Sequence, residues 1–128
     1  MKIVALDYGA ARTGVAVSDP TGTLARPLCV VERAASEPGL AELQRLVERE
    51  AAERVVVGLP LTLRGEHGEQ ALETERFVES LRAVLEVPVE TIDERFTTTL
   101  AERDEGDAPP DARAAAHLLS TYLAWASR

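Results

Sequence analysis

Apolar residues along this chain recur at two periods, and the switches between them mark out the elements. Ile3-Val-Ala-Leu-Asp7 is a short apolar run that ends on an acid and is followed by Tyr8-Gly9, the pattern of a buried strand. After a tight turn, Arg12-Thr-Gly14-Val-Ala-Val17 reads as a second strand, clearest from Val15 to Ser18, and the turn Asp19-Pro-Thr-Gly22 closes it. Leu28 to Glu32 is a third, and the short connections predict an antiparallel meander. From Glu37 to Glu53, Leu40, Leu43, Leu46 and Val47 fall at helical spacing. Arg54-Val-Val-Val57-Gly-Leu-Pro60 is continuously apolar and β-branched, as expected of a strand buried on both faces. A glycine-spaced loop leads to Gly68, and a second helix runs from Glu69 to Leu85 with Leu72, Phe77, Val78 and Leu81 facing the core. Val87 to Ile92 is a fifth strand, ending at Asp93-Glu94-Arg95. Thr97 to Arg103 predicts a short helix and Asp104 to Pro110 a polar loop; Asp111 to Trp125 is a last, Ala-rich helix that Tyr122 and Trp125 close onto the sheet. The order βββαβαβαα predicts an α/β sandwich: a mixed five-stranded sheet with helices on both sides.

Composition adds boundaries rather than detail. With 128 residues, no internal repeat and no evident linker, the chain is expected to form a single domain over residues 1–128. The one cysteine, Cys29, excludes an intramolecular disulfide and fits a reducing compartment. No apolar run approaches the roughly 20 residues of a membrane span, and Met1 leads straight into a strand, so a cytoplasmic protein without a signal peptide is expected. Charge changes the picture more. Fourteen Lys and Arg against 22 Asp and Glu give a net charge of −8, which argues against gripping nucleic acid by bulk electrostatics. Any polyanion-binding surface must be local. Lys2 is the only lysine, and the remaining cations are arginines, which suit bidentate phosphate contacts.

Three acids stand at element ends: Asp7 after the first strand, Asp93 or Glu94 after the fifth, and Asp111 opening the last helix. In open α/β sheets, sites gather at the carboxyl ends of neighbouring strands. If the first strand lies beside the neighbour of the fifth, Asp7 and Glu94 face each other and the last helix lowers Asp111 between them. Three carboxylates brought together repel unless Mg²⁺ or Mn²⁺ neutralises them. Two such ions, about 4 Å apart, would activate a water and stabilise the leaving oxygen of a phosphodiester. Each acid also has a plainer reading. Asp111 after Pro109-Pro110 suits a helix cap, and Asp93 or Glu94 could pair with Arg95 at the surface. Asp7 has no capping duty in view. A one-residue slip decides whether Asp93 or Glu94 points into the site.

The segment Gly58-Leu-Pro60 through Arg64-Gly65 to Gly68 could bring backbone N–H groups and Arg64 to a phosphate, or could be a structural turn; it is neither a Walker loop nor GxGxxG. Thr97, Thr98 and Thr99 could bond a phosphate or cap the short helix. His67 and His117 read as solvated or core-edge residues, and Cys29 as inert packing.

Taken together, Leu-Asp7-Tyr-Gly9-Ala-Ala-Arg12-Thr-Gly14, Val57-Gly-Leu-Pro60-Leu with Gly65 and Gly68, Asp93-Glu94-Arg95-Phe-Thr97-Thr98, and Asp111-Ala-Arg-Ala114-Ala115 running to Leu119 and Tyr122-Leu123 resemble the RuvX/YqgF family. They occur in family order over nearly the whole chain. The resemblance implies an RNase H-like, RuvC-type fold and a divalent-metal nuclease, with Asp7, Glu94 and Asp111 as catalytic acids and ligands of Mg²⁺ or Mn²⁺. It implies as substrate the Holliday junction or the precursor of 16S ribosomal RNA. Two features depart from the pattern. The loop before Asp111, Arg103-Asp-Glu-Gly-Asp107-Ala-Pro-Pro, is acidic where the family tends to be basic; and Ala114 and Ala115 stand where relatives such as RuvC carry a further acid or histidine.

The reading is therefore a metal-dependent nuclease on structured nucleic acid, in which Arg12, Arg64 and Arg95, with Thr97 and Thr98, meet phosphates. Self-association is expected to be a weak homodimer at most. One rival is a binding module of the same fold that guides another nuclease or the ribosome, favoured by the negative charge. Another is an actin-like ATPase or sugar kinase, suggested by Asp7-Tyr-Gly9; those proteins duplicate the unit, and 128 residues hold one copy.

Overall fold

Strands form where β-branched and small apolar residues run together, and their order sets out the site. The computed structural model describes residues 1–61, 64–94 and 107–126. The elements are β1 (Ile3–Asp7), β2 (Arg12–Ser18), β3 (Ala25–Glu32), α1 (Glu37–Arg49), β4 (Arg54–Leu59), α2 (Glu69–Val84), β5 (Val89–Asp93) and α3 (Pro110–Ala126). The sheet has five strands in the order β3-β2-β1-β4-β5. The first three form the expected antiparallel meander, and β1, β4 and β5 run parallel. The mixed sheet is thus as the sequence predicts.

Alternation along the strands separates two cores. Val4, Leu6, Val15, Val17, Val55 and Val57 pack against α1 and α2 on one face. Ile3, Ala5, Ala16, Val56 and Ile92 pack against α3 on the other. On the α3 face small residues stand on both sides, Ala5 and Ala16 on the sheet and Ala112, Ala115 and Ala116 on the helix, among larger Ile3, Ile92, Leu118 and Leu119. At the far end of α3 the Tyr122 hydroxyl accepts from Arg54 Nη1 at 2.7 Å and donates to Glu90 Oε2 at 2.9 Å. That links α3 to β4 and β5, as expected of Tyr122. Trp125, on the same helix, is exposed.

Other differences have local causes. β3 starts at Ala25, three residues before the expected Leu28, because its pairing with β2 continues past an irregularity at Val15/Ala16. α1 stops at Arg49, not Glu53, because Ala51 takes a left-handed conformation, φ 54°. The Ala51 and Ala52 N–H groups donate back to the Glu48 and Val47 carbonyls at 3.1 Å each, a Schellman closure. β5 starts at Val89, since Pro88 has no N–H to donate; its carbonyl accepts from Val55 instead, at 3.0 Å. On α2 the buried face is Ala71, Thr74, Phe77, Val78 and Leu81, and Leu72 lies outside it, exposed. Thr74 can be buried because its hydroxyl donates to the Gln70 carbonyl at 2.8 Å. The helix expected over Thr97–Arg103 lies outside the described residues, as does the loop from Asp104 up to Asp107. Among the described residues no helix is long and apolar enough to cross a membrane.

Candidate active site

Asp7 is the last residue of β1, and alternation from Ile3 and Ala5 turns its carboxyl to the α3 face. Beside β1 lies β4, with Leu6 opposite Val57, and beyond it β5, with Ile92 opposite Gly58. The three parallel strands therefore end together. Ile92 packs in the α3 core, so the next residue to face that way is Glu94, while Asp93 turns to the opposite face. That settles which of the two neighbours looks toward Asp7. The Glu94 carboxyl hydrogen-bonds the Asp7 carboxyl across β4.

Two acids bonded to each other must share a proton. Burial first, then the hydrogen bond and charge of Asp7 and the charge of Asp93, together raise the Glu94 carboxyl to about 8. Burial also raises Asp7; the hydrogen bond from Glu94 opposes that rise, and the charge of Asp111 adds to it. At neutral pH the proton resides on Glu94, which donates to the Asp7 carboxylate. Both groups are displaced in the direction that favours neutrality, burial being the largest cause for each.

Asp111 comes from the helix above. The Arg113 N–H donates to the Pro109 carbonyl at 3.0 Å, which makes Pro109 the capping residue and Pro110 the first of the helix. Asp111 is thus inside the first turn, where the helix dipole favours its charge, and is not the cap. Its Oδ2 lies 3.3 Å from Arg12 Nε, in a pair whose arginine side chain is 66% exposed. Among the described residues no three His, Cys, Asp or Glu side chains stand close enough to hold an ion as they are. The arrangement is a bonded pair, Asp7 and Glu94, with a third carboxylate nearby held by Arg12.

The other expected contacts are distributed differently. Arg64 is exposed on the β4–α2 loop and forms no ion pair with the described acids. Arg95, Thr97 and Thr98 lie outside the described residues. His67 contacts Glu75, at the surface. Two supports carried no obvious signal in the sequence. Tyr8 stacks on Phe77 of α2 with ring centroids 4.3 Å apart, and its hydroxyl donates to Glu73 at 3.3 Å, which pins the backbone next to Asp7. Thr13 is fully buried, and its hydroxyl meets both the N–H and the carbonyl of Gly9 at 3.4 Å, closing the turn that presents Arg12. A cavity of about 700 Å³ opens between α2 and β5, lined by Leu59, Leu72, Arg76, Val78, Arg82 and Thr91. It lies on the α2 side of the sheet, away from the acids.

Sheet order, flanking helices and acids at the carboxyl edge define an RNase H-like fold of the RuvC type. The solved structure of Thermus thermophilus RuvC in complex with a Holliday junction superimposes with a TM-score of 0.70 at 18% identity, over 99% of this chain and 95% of that one. The fowlpox virus Holliday junction resolvase follows at 0.56 and 12% identity, over 98% and 99%. At the level of sequence, the model of the RuvX family, described as Holliday junction resolvase, matches residues 1–125, and the chain belongs to that family of nucleases. A Chloroflexus aggregans protein provisionally named pre-16S rRNA nuclease is 45% identical, over 94% of this chain and 92% of its own length. One from Chloroflexus aurantiacus, with the same provisional name, is 43% identical over 94% and 85%.

Proposed function

We propose that the protein is a divalent-metal-dependent endonuclease acting on structured nucleic acid, with Asp7, Glu94 and Asp111 as its catalytic acids and metal ligands. The observation that carries this is the Asp7–Glu94 pair, two carboxyls from different strands bonded together at the carboxyl edge of the sheet beneath the start of α3. The two acids lie together by sharing a proton that a cation could replace, and Arg12 is paired with Asp111 instead. The donors fit Mg²⁺ or Mn²⁺: all are carboxylate oxygens, with no thiolate or imidazole among them. Asp111 would join by leaving its exposed pair with Arg12, a contact worth about 1 kcal/mol or less.

When bound, such an ion supplies neutralisation of phosphate charge and a more acidic water. The chain's own residues do the rest. To hold the ion Glu94 would release its proton to solvent, Asp7 would stay fixed by the sheet hydrogen bonds of β1, and Asp111 would be carried by the first turn of α3. Arg12, released from Asp111, has an exposed guanidinium free to take a phosphate oxygen. The family description points to Holliday junctions as substrate, and the names of the relatives to precursor 16S rRNA. Symmetric cuts on a junction need paired sites, hence a weak homodimer assembled on the DNA; trimming an RNA end needs only one site.

A second reading is a catalytically weak binding module, and the open third arm of the site favours it. Incubation of the purified protein with a four-way junction and with precursor 16S rRNA, in Mn²⁺ or in EDTA, separates the two. Cleavage in Mn²⁺ that vanishes in EDTA and in Asp7→Asn is the expected result. Binding without turnover in any divalent metal favours the module, and cleavage surviving in Asp7→Asn overturns the assignment of the site.

A further inference from the structure

Asp7 and Glu94 belong to strands that are not neighbours. β4 stands between them, so their backbones are two strand spacings apart, about 9.6 Å. The Glu94 side chain must therefore lie across β4 to reach Asp7. It does so at Gly58: a Cβ placed there would stand 2.4 Å from Glu94 Oε1, 2.8 Å from its Cγ and 2.9 Å from its Cδ. Real Cβ atoms do not approach so closely. On the other side of Asp7 its ladder partner on β2 is Gly14, where a Cβ would stand 1.8 Å from the Asp111 carbonyl oxygen and 2.8 Å from the Ala112 nitrogen. Glycines thus flank Asp7 on both neighbouring strands, each on the face that the acids occupy.

We propose that Gly58 is a positioning residue of the nuclease site, the gap in β4 through which the Glu94 carboxyl reaches Asp7, and that Gly14 is its counterpart, the seat on which α3 lowers Asp111. The proposal rests on the assignment of these acids as the catalytic set, and it adds two residues that carry no chemistry of their own. The two glycines differ in kind. At Gly58 the obstructed atoms are the end of a side chain, which can swing away, so a methyl group there costs the contact rather than the fold. At Gly14 the obstructed atoms are backbone, and a methyl group must lift the helix itself. Gly14→Ala is therefore expected to lose stability as well as activity, and Gly58→Ala is the clean test.

The expected result for Gly58→Ala is unchanged circular dichroism, a melting temperature within a few degrees of wild type, and a cleavage rate lower by about 100-fold, the scale of an ångström-sized misplacement. Mn²⁺ affinity, read by paramagnetic resonance without substrate, falls with it, while KM for the junction stays within about twofold. The dependence on Glu94 is read in a double-mutant cycle: Gly58→Ala costs nothing further in a Glu94→Ala background. Wild-type cleavage and Mn²⁺ affinity in Gly58→Ala, or losses that add in the cycle, would overturn the proposal. Crystal structures of wild type and Gly58→Ala in EDTA provide a readout that does not depend on the nuclease reading. If the wild type neither cleaves nor binds Mn²⁺, that reading fails, yet Glu94 leaving Asp7 in the variant still upholds the role of Gly58. Glu94 in place over an alanine refutes it.

Discussion

At the scale of the residue, everything turns on one proton between Asp7 and Glu94. Glu94 ordinarily titrates near 4.5 and is raised to about 8 in the fold, chiefly by burial and then by Asp7. Between those values the folded protein keeps a proton that the unfolded chain has lost, so the contribution is fully present at low pH and disappears as pH rises through about 8. The melting temperature in EDTA is expected to fall from about pH 5 to about pH 8 more steeply in wild type than in Glu94→Gln, where that proton is absent. Identical slopes would mean that the pair does not share a proton. Length matters as much as charge at this position. Glu94→Asp keeps the carboxylate and removes one carbon from a side chain that must cross β4. It is expected to be about as inactive as Glu94→Gln, near 100-fold below wild type in single-turnover cleavage. A site that needed only negative charge there would tolerate the aspartate.

At the scale of the element, the pattern of apolar positions revealed most of the fold, because each strand and helix declares its own period. The continuous Val55-Val56-Val57 run is buried on both faces, as such runs are. The misplaced boundaries share one cause: they depend on backbone geometry that no period reports. α1 ends where Ala51 turns left-handed, a conformation that glycine usually takes and that alanine does not advertise. Ala51→Gly is accordingly expected to raise stability by about 0.5–1 kcal/mol in urea unfolding, since the strain of a left-handed alanine is about 1–2 kcal/mol and glycine returns part of it in chain entropy. Cleavage should not change. A destabilised Ala51→Gly would show that the turn carries no strain. Leu72 and Thr74 mark a second kind of failure. Apolar character suggested Leu72 for the core, but the face is set by Phe77 and Leu81, and a threonine satisfied by its own helix fills the place better.

At the scale of the molecule, the strand order converts distant acids into neighbours, and this is where sequence alone ran short. Asp7, Glu94 and Asp111 were each legible as acids at element ends. What was not legible was that the Glu94 side chain crosses the intervening strand at Gly58, or that Asp111 pairs with Arg12. Both follow from register and from how closely α3 approaches the sheet, which involve residues far apart in the chain. The similarity to RuvC at 18% identity makes the same point: the layout persists where most side chains differ. Charge also acts at this scale. A molecule of net charge −8 repels a polyanion at long range, so each local cation counts. Arg12→Ala is expected to weaken junction binding in EDTA and to lower the log–log salt slope by about 1, the mark of one lost phosphate contact. An unchanged slope in fluorescence anisotropy titrations would remove Arg12 from the interface.

The most direct test is to locate the ion itself. Crystals soaked in Mn²⁺ should show an anomalous difference peak between the carboxylates of Asp7 and Glu94, with Asp111 turned away from Arg12 toward it, and no such peak in Asp7→Asn. Wild-type crystals in which Asp7 and Glu94 remain bonded to each other, with manganese elsewhere or nowhere, would contradict the assignment of these acids as a metal-dependent nuclease site.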